Sequence, residues 1–262
     1  MKHFNKLLFL LVFLLSGRML WANPVIIGNS RFTFITDQLV RMEYAQNGHF
    51  LDDPTLFAID RSTECKDVKV EEKSKDHYVL STPVMRIEYY ADGFPFGQTN
   101  LHVYFKNGEE AKEKHWYIAS RQSKNLLGAL TTLDEVDGPV DRQEGLLSRD
   151  GWYLINDTGK EVLRDGWVSA RDKDHVQDLY LFVYGNDYKS ALRSLRVVSG
   201  PAPMPRKYVH GSWYCRWWNY TDDDYRQLVR EYKEHDFPLD IMVFDLSLIH
   251  ISEPTRRRGI SY

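Results

Sequence analysis

From Asn23 to about Val183, apolar residues return at every second position rather than every third or fourth. Val40, Met42 and Tyr44 alternate with Arg41 and Glu43, and Met85, Ile87 and Tyr89 alternate with Arg86 and Glu88. Successive side chains on a strand point to opposite faces, so this spacing predicts antiparallel strands with one face in a core and the other in water. Turn residues fall between the runs, at Asn47-Gly48, Asp92-Gly93, Asn107-Gly108 and Asp137-Gly138. These pairs tolerate the positive φ angles that tight hairpins need. Many short strands of this kind make a β-sandwich or a barrel. Apolar and aromatic residues at 43% supply enough core for it, and no repeat or low-complexity stretch interrupts it.

The pattern changes near Asp187. Asp187 is placed to cap a helix from Tyr188 to Val198, with Ala191, Leu192 and Leu195 on one face. The run Gly200-Pro-Ala-Pro-Met-Pro205 stops it and reads as a connector. A short apolar strand is expected at Val209 to Trp213, then an aromatic loop, then a helix. Thr221 with Asp224 three residues on resembles a capping box, and Tyr225, Leu228, Val229 and Tyr232 follow at helical spacing. Asp222, Asp223 and Asp224 read as helix-start acids that suit the dipole rather than a catalytic cluster. Asp240 to Asp245 is an apolar run flanked by acids, the pattern of a parallel strand buried on both faces. Strand, helix, strand is the opening of an α/β domain.

The two ends differ from this body. Met1 to Ala22 reads as a secretory signal: Lys2 and Lys6, an apolar run from Leu7 to Leu15, and a small residue at Ala22. The run is too short to span a bilayer, so export without a membrane span is expected. Leu246 to Tyr262 resembles a translated sequencing adapter rather than protein sequence, with Leu246 itself ambiguous. Setting both ends aside removes six basic residues and one acidic residue, and the formal charge moves from -3 to -8. An acidic body does not suit nucleic acid. Two cysteines, Cys65 and Cys215, exclude a disulfide-stapled scaffold and read as isolated buried thiols. The 9 His show no His-x-x-x-His spacing, so no metal site is expected.

Three stretches together resemble glycoside hydrolase family 31, the retaining α-glucosidase and α-xylosidase family. The first is Asn125-Leu-Leu-Gly128 with Thr131-Thr-Leu-Asp134 and Asp137-Gly138. The second is Gly145-Leu-Leu-Ser-Arg-Asp-Gly-Trp152 with Asn156-Asp157. The third runs from Pro203 through Gly211 and Arg216-Trp217 to Phe237-Pro-Leu-Asp240 and Val243-Phe-Asp245. The resemblance implies a mainly β chain, a galactose-mutarotase-like β-sandwich followed by the first β-α-β piece of a (β/α)8 barrel. The expected divisions are 1–22 signal, 23–186 sandwich, 187–205 helix and connector, 206–245 barrel start, and 246–262 adapter-like tail.

In such barrels substrate meets the C-terminal ends of the strands, which directs attention to the loop Tyr214 to Tyr220 and to Asp245. The resemblance makes Asp245 a sugar hydroxyl-binding residue and Trp217 a border of the sugar pocket. Arg216 suits either the pocket wall or a structural ion pair. Trp213 and Trp218 read as core packing, and Arg149-Asp150 as a local ion pair. The family's nucleophile and acid/base are Asp residues on later strands, beyond position 245. No catalytic residue is therefore assigned here, and the 262-residue chain is expected to be inactive. The resemblance implies an oligosaccharide or polysaccharide substrate and no cofactor. The rival reading is a non-catalytic carbohydrate-binding sandwich.

Overall fold

The computed structural model describes residues 23–106, 112–128, 136–171 and 175–244, with backbone only at 175 and 176. The signal-like segment, the Asn107-Gly108 turn, the Thr131 to Asp134 motif, Asp245 and the tail lie outside the described residues. The chain divides into two compact units, one ending at Pro201 and one beginning at Ala202, inside the Pro-rich connector.

The first unit begins with β1 (Val25–Ile27), β2 (Ser30–Thr36) and β3 (Leu39–Ala45). A meander follows: β4 (Lys69–Ser74), β5 (His77–Ser81), β6 (Met85–Tyr90), β7 (Leu101–Lys106) and β8 (Glu113–Tyr117). Then come β9 (Trp152–Asn156), the small hairpin β10 (Val162–Arg164) and β11 (Trp167–Ser169), and β12 (His175–Val183). Two five-stranded sheets result, ordered β1-β2-β3-β12-β9 and β4-β5-β6-β7-β8. Every pairing within them is antiparallel.

Register explains the core. Phe32, Met42 and Leu179 stand in one cross-strand row, and Phe34, Val40 and Leu181 in the next. These rows pack against Leu80, Ile87, Val103, Phe105 and Trp116 of the second sheet in one buried cluster. The expected alternation holds on β6, where Met85, Ile87 and Tyr89 are buried while Arg86 and Glu88 are half-buried. A single Phe32→Ala at this packing would cost about 3–5 kcal/mol.

On β3 the expectation of a water-facing polar side fails. Arg41 and Glu43 are as buried as their apolar neighbours. The segment after β3 folds back across this face: the Leu51 carbonyl accepts from both Arg31 and Arg41, and Arg61 donates to the Tyr180 hydroxyl. Charges so enclosed must pair. Arg31 meets Glu43 at 2.7 Å, and Asp178 lies 2.8 Å from both Arg41 and Arg171. Burial opposes ionisation of Asp178, but the two guanidiniums outweigh it and hold its carboxyl down at about 2. Alternation reports which residues share a face, not what later covers that face.

Further along the same face, Ile35, Leu39, Tyr180 and Phe182 form a second apolar cluster with α1 (Tyr188–Ser199). Asp187 caps α1 as expected, accepting from the Ser190 amide at 3.0 Å. The buried stripe is Ala191, Ser194 and Val198, with Leu195 half-buried; Leu192 is turned out, 49% exposed. One residue on from Ala191 is about 100° around a helix, which carries Leu192 off the stripe.

Of the four expected turns, Gly48 and Gly93 do adopt positive φ, but neither closes a tight hairpin. Each lies in a longer connection, and Gly138 lies in an irregular segment. Two-residue turns fall instead at Gly28-Asn29, Asp37-Gln38, Lys75-Asp76 and Asp165-Gly166, the last with φ of 52° and 79°. The second unit holds a short 3-10 helix (Lys207–His210), β13 (Trp213–Tyr214), α2 (Asp222–Glu234) and β14 (Ile241–Met242).

Candidate functional site

The first two family-like stretches are locked to each other. The Asn125 side chain accepts from the amides of Leu127 and Gly145 and donates to the Gly145 carbonyl. The Leu126 amide donates to Leu147, and the Arg149 amide to Lys124. Asp150 does not pair with Arg149. Its carboxylate accepts from the amides of Ser123 and Lys124 at 2.8 and 2.9 Å and from the Ser148 hydroxyl at 3.1 Å. Partial burial works against its ionisation, but these donors hold it below the usual carboxylate range. The Tyr184 hydroxyl, accepting from the Ser148 amide and donating to the Leu146 carbonyl, anchors the second loop from β12's end. This is a structural clasp, and its Asp is satisfied by backbone.

In the second unit, β13 and β14 pair in parallel, Trp213 opposite Ile241 and Tyr214 opposite Met242. Val243 extends the register by donating to the Tyr214 carbonyl at 2.9 Å. Parallel neighbours share a C-terminal edge, so the loop after Tyr214 and the chain after Met242 leave from the same side. The first strand is shorter and later than expected. Val209 sits in the 3-10 turn, where its carbonyl accepts from the Trp213 indole at 2.9 Å, and the top-edge loop starts at Cys215. Gly211 is required there: a Cβ would collide with the Asp240 carboxylate, which accepts from the Ser212 amide.

β14 is likewise short, and Ile241, Met242 and Val243 are half-buried rather than enclosed on both faces, because among the described residues it has one strand neighbour. Trp213 and Trp218, expected in a core, are 53% and 55% exposed, and no described second layer covers them. Cys215 is also exposed, while Cys65 is buried, and both are free thiols.

The top-edge loop has a defined interior. The hydroxyls of Tyr214 and Tyr220 meet at 2.6 Å, and Arg216 reaches the Tyr220 hydroxyl at 3.4 Å. Arg216 also lies 4.8 Å over the Trp218 ring, a cation–π contact. Among the described residues, then, its partners are aromatic rather than a carboxylate. The hydrogen bond with Tyr220, and secondarily burial, raises Tyr214, so the Tyr214 phenol stays protonated. Trp217 projects with 74% of its surface exposed.

Sequence reasoning overlooked Tyr220, although its signal was present. It precedes the N-cap Thr221 and packs on Tyr225 at 5.0 Å, the hydrophobic staple that accompanies a capping box. Both halves of that box are formed, and Asp222 pairs with Arg226, so these acids are used in starting α2. The loop from Cys215 to Tyr220 contains no acid. Its exposed indole and its hydroxyls can stack on and hydrogen-bond a ligand, but the loop cannot transfer protons as a carboxyl pair would. A cavity of about 490 Å³ lined by Ser212, Tyr232, His235 and Phe237 opens at the opposite, N-terminal edge, away from this loop. Asp245 lies outside the described residues.

Residues 202–258 match the family model described as the glycosyl hydrolases family 31 TIM-barrel domain. The alpha-xylosidase of Saccharolobus solfataricus is 29% identical over 66 residues, 25% of this chain and 9% of that protein. A probable glucan 1,3-alpha-glucosidase of Arabidopsis thaliana is 33% identical over 81 residues, 30% of this chain and 8% of that protein. A family 31 dextranase of Flavobacterium johnsoniae, solved with glucose, has the same fold with a TM-score of 0.52 and 16% identity. That alignment covers 88% of this chain and 34% of the dextranase. The chain thus spans about a third or less of the proteins it matches. These matches support a glycoside hydrolase family 31 fragment, with a β-sandwich followed by the start of a TIM barrel.

Proposed function

We propose that this chain is part of an exported, retaining α-glycosidase of the α-glucosidase or α-xylosidase type, releasing terminal α-linked sugars from oligosaccharides or polysaccharides. The observation that carries the reading is the parallel register of β13 and β14, which sends the aromatic loop and the Val243-Phe244 segment to one edge. That is the edge at which barrels of this kind meet substrate. In this reading Trp217 offers an indole face to the sugar, and Arg216, held by Trp218 and Tyr220, lines the wall. Asp245 accepts two hydroxyls of the terminal sugar through charge-assisted hydrogen bonds.

Retention needs two carboxyls about 5 to 5.5 Å apart, one a nucleophile and one an acid/base. The family resemblance puts both beyond position 245, so the 262-residue chain is taken to bind weakly and not to turn over. Recovering the full open reading frame tests this. The whole protein should hydrolyse an aryl α-glucoside or α-xyloside with release of the α-anomer. Asp245→Ala should lower kcat/KM by roughly 10- to 100-fold, the worth of about 1.5–3 kcal/mol for a hydrogen bond to a charged group. Release of the β-anomer, or turnover by the 262-residue chain, would overturn the respective claims. Export is tested by recovering the processed protein outside the cytoplasm.

A further inference from the structure

We propose that His102 and His115 form a bidentate site for a borderline divalent metal ion such as zinc, on the outer face of the second sheet. β7 and β8 are antiparallel, with His102 opposite Tyr117 and Tyr104 opposite His115. The two histidines are therefore diagonal neighbours on one face, while Val103, Phe105 and Trp116 point into the core. His102 Nδ1 lies 3.0 Å from His115 Nε2. Two neutral imidazoles can hold this separation only by sharing a ring proton. A metal ion in place of that proton is bound by both lone pairs.

The geometry is close to what the ion needs. Nitrogens about 2.0–2.1 Å from a tetrahedral zinc lie roughly 3.3–3.4 Å apart, so the pair has to open by only a few tenths of an ångström. One ring is already oriented: His115 stacks on Tyr104 at 4.6 Å and 12°, and Arg86 closes the other face of Tyr104 at 4.1 Å.

Glu88 stands opposite His102 in the β6–β7 register. From β6, Glu88 is engaged by Arg86, and Arg86 also holds Glu113 of β8 at 3.0 Å. Among the described residues no third His, Cys, Asp or Glu completes a metal-binding group. The protein thus supplies two nitrogens, and the remaining positions fall to water or an external ligand. Two imidazoles without oxygen donors suit zinc and its neighbours, not calcium or magnesium.

Calorimetric titration of the purified chain with zinc chloride tests the site, against His102→Gln and His115→Gln, both surface changes whose folding is checked by far-UV circular dichroism. Zinc should bind and raise the Tm reversibly with a chelator, and magnesium should do neither. Each variant should bind zinc at least about tenfold more weakly, since even an outer-shell partner of a metal-bound His is worth on the order of 10-fold or more. A folded variant that keeps the parent's affinity, or a parent with no zinc heat at millimolar concentration, overturns the proposal.

Discussion

Arg41 on β3 and Asp178 on β12 meet diagonally across neighbouring strands through two hydrogen bonds of 2.8 Å, with both side chains sealed from water. Arg171 adds a second guanidinium to the same carboxylate. The pair ties the middle of the first sheet to the segments that cover it. Removing Asp178 leaves two buried guanidiniums with Glu43 and Asp157 as carboxylate partners, a loss of about 3–5 kcal/mol for a broken buried network. Asp178→Asn should therefore lower the unfolding free energy in urea by that amount, with little change in far-UV signal at zero denaturant.

The same carboxylate sets an acid limit. Asp178 is held near 2 in the folded chain, against about 3.9 in an unfolded one. A depressed carboxylate contributes stability above its unfolded value and loses it as pH falls toward its folded value. Unfolding free energy should drop between about pH 4 and pH 2, and the drop should be shallower in Asp178→Asn. Asp157, raised chiefly by burial, acts in the opposite direction, so Asp157→Asn should leave the drop in place. Urea titrations at a series of pH values separate the two.

Asp150 fastens the loop before Asn125 to the loop after Gly145. Asp150→Ala frees two amides and a hydroxyl, a loss of about 1–2 kcal/mol for bonds of this kind at a partly exposed site. The expected readout is faster proteolytic cleavage near residues 121–128, with the core strands equally protected in hydrogen exchange.

Gly211 has the Asp240 carboxylate where a Cβ would stand. Gly211→Ala should displace Asp240, break its bond to the Ser212 amide and loosen the β13–β14 pair. Hydrogen exchange at the Val243 amide, bonded to Tyr214 in the parent, should rise while amides of the first unit stay unchanged.

Cys215 is exposed, whereas burial pushes the Cys65 thiol up to about 12. A thiol reagent on the folded chain should modify one cysteine, denaturation should release the second, and Cys215→Ser should abolish the native reaction.

Much of the local structure was legible in the residues. The caps at Asp187 and Thr221, the strands around Val40 and Met85, and the parallel pair near Trp213 and Ile241 all follow from spacing and side-chain chemistry over a few positions. The histidine pair was not legible, because His102 and His115 converge through a cross-strand register rather than a helical repeat. Asp150 looked like a partner for Arg149, since adjacency in sequence says nothing about which distant amides a carboxylate will meet. Tyr220 was legible as half of a staple but was passed over among its aromatic neighbours.

By itself the sequence determined the alternation of the sheets, the helix caps and the family resemblance, because these depend on interactions between residues close along the chain or on residues shared with relatives. Only the tertiary structure decided the fate of the polar side of β3. Arg41 and Glu43 alternate with apolar residues just as Arg86 and Glu88 do, yet one pair is enclosed and the other reaches water. The difference lies in a segment with no periodicity of its own, from Leu51 to Arg61, which folds over β3 and leaves β6 open. Burial is a property of what arrives from elsewhere in the chain, and no local pattern encodes it.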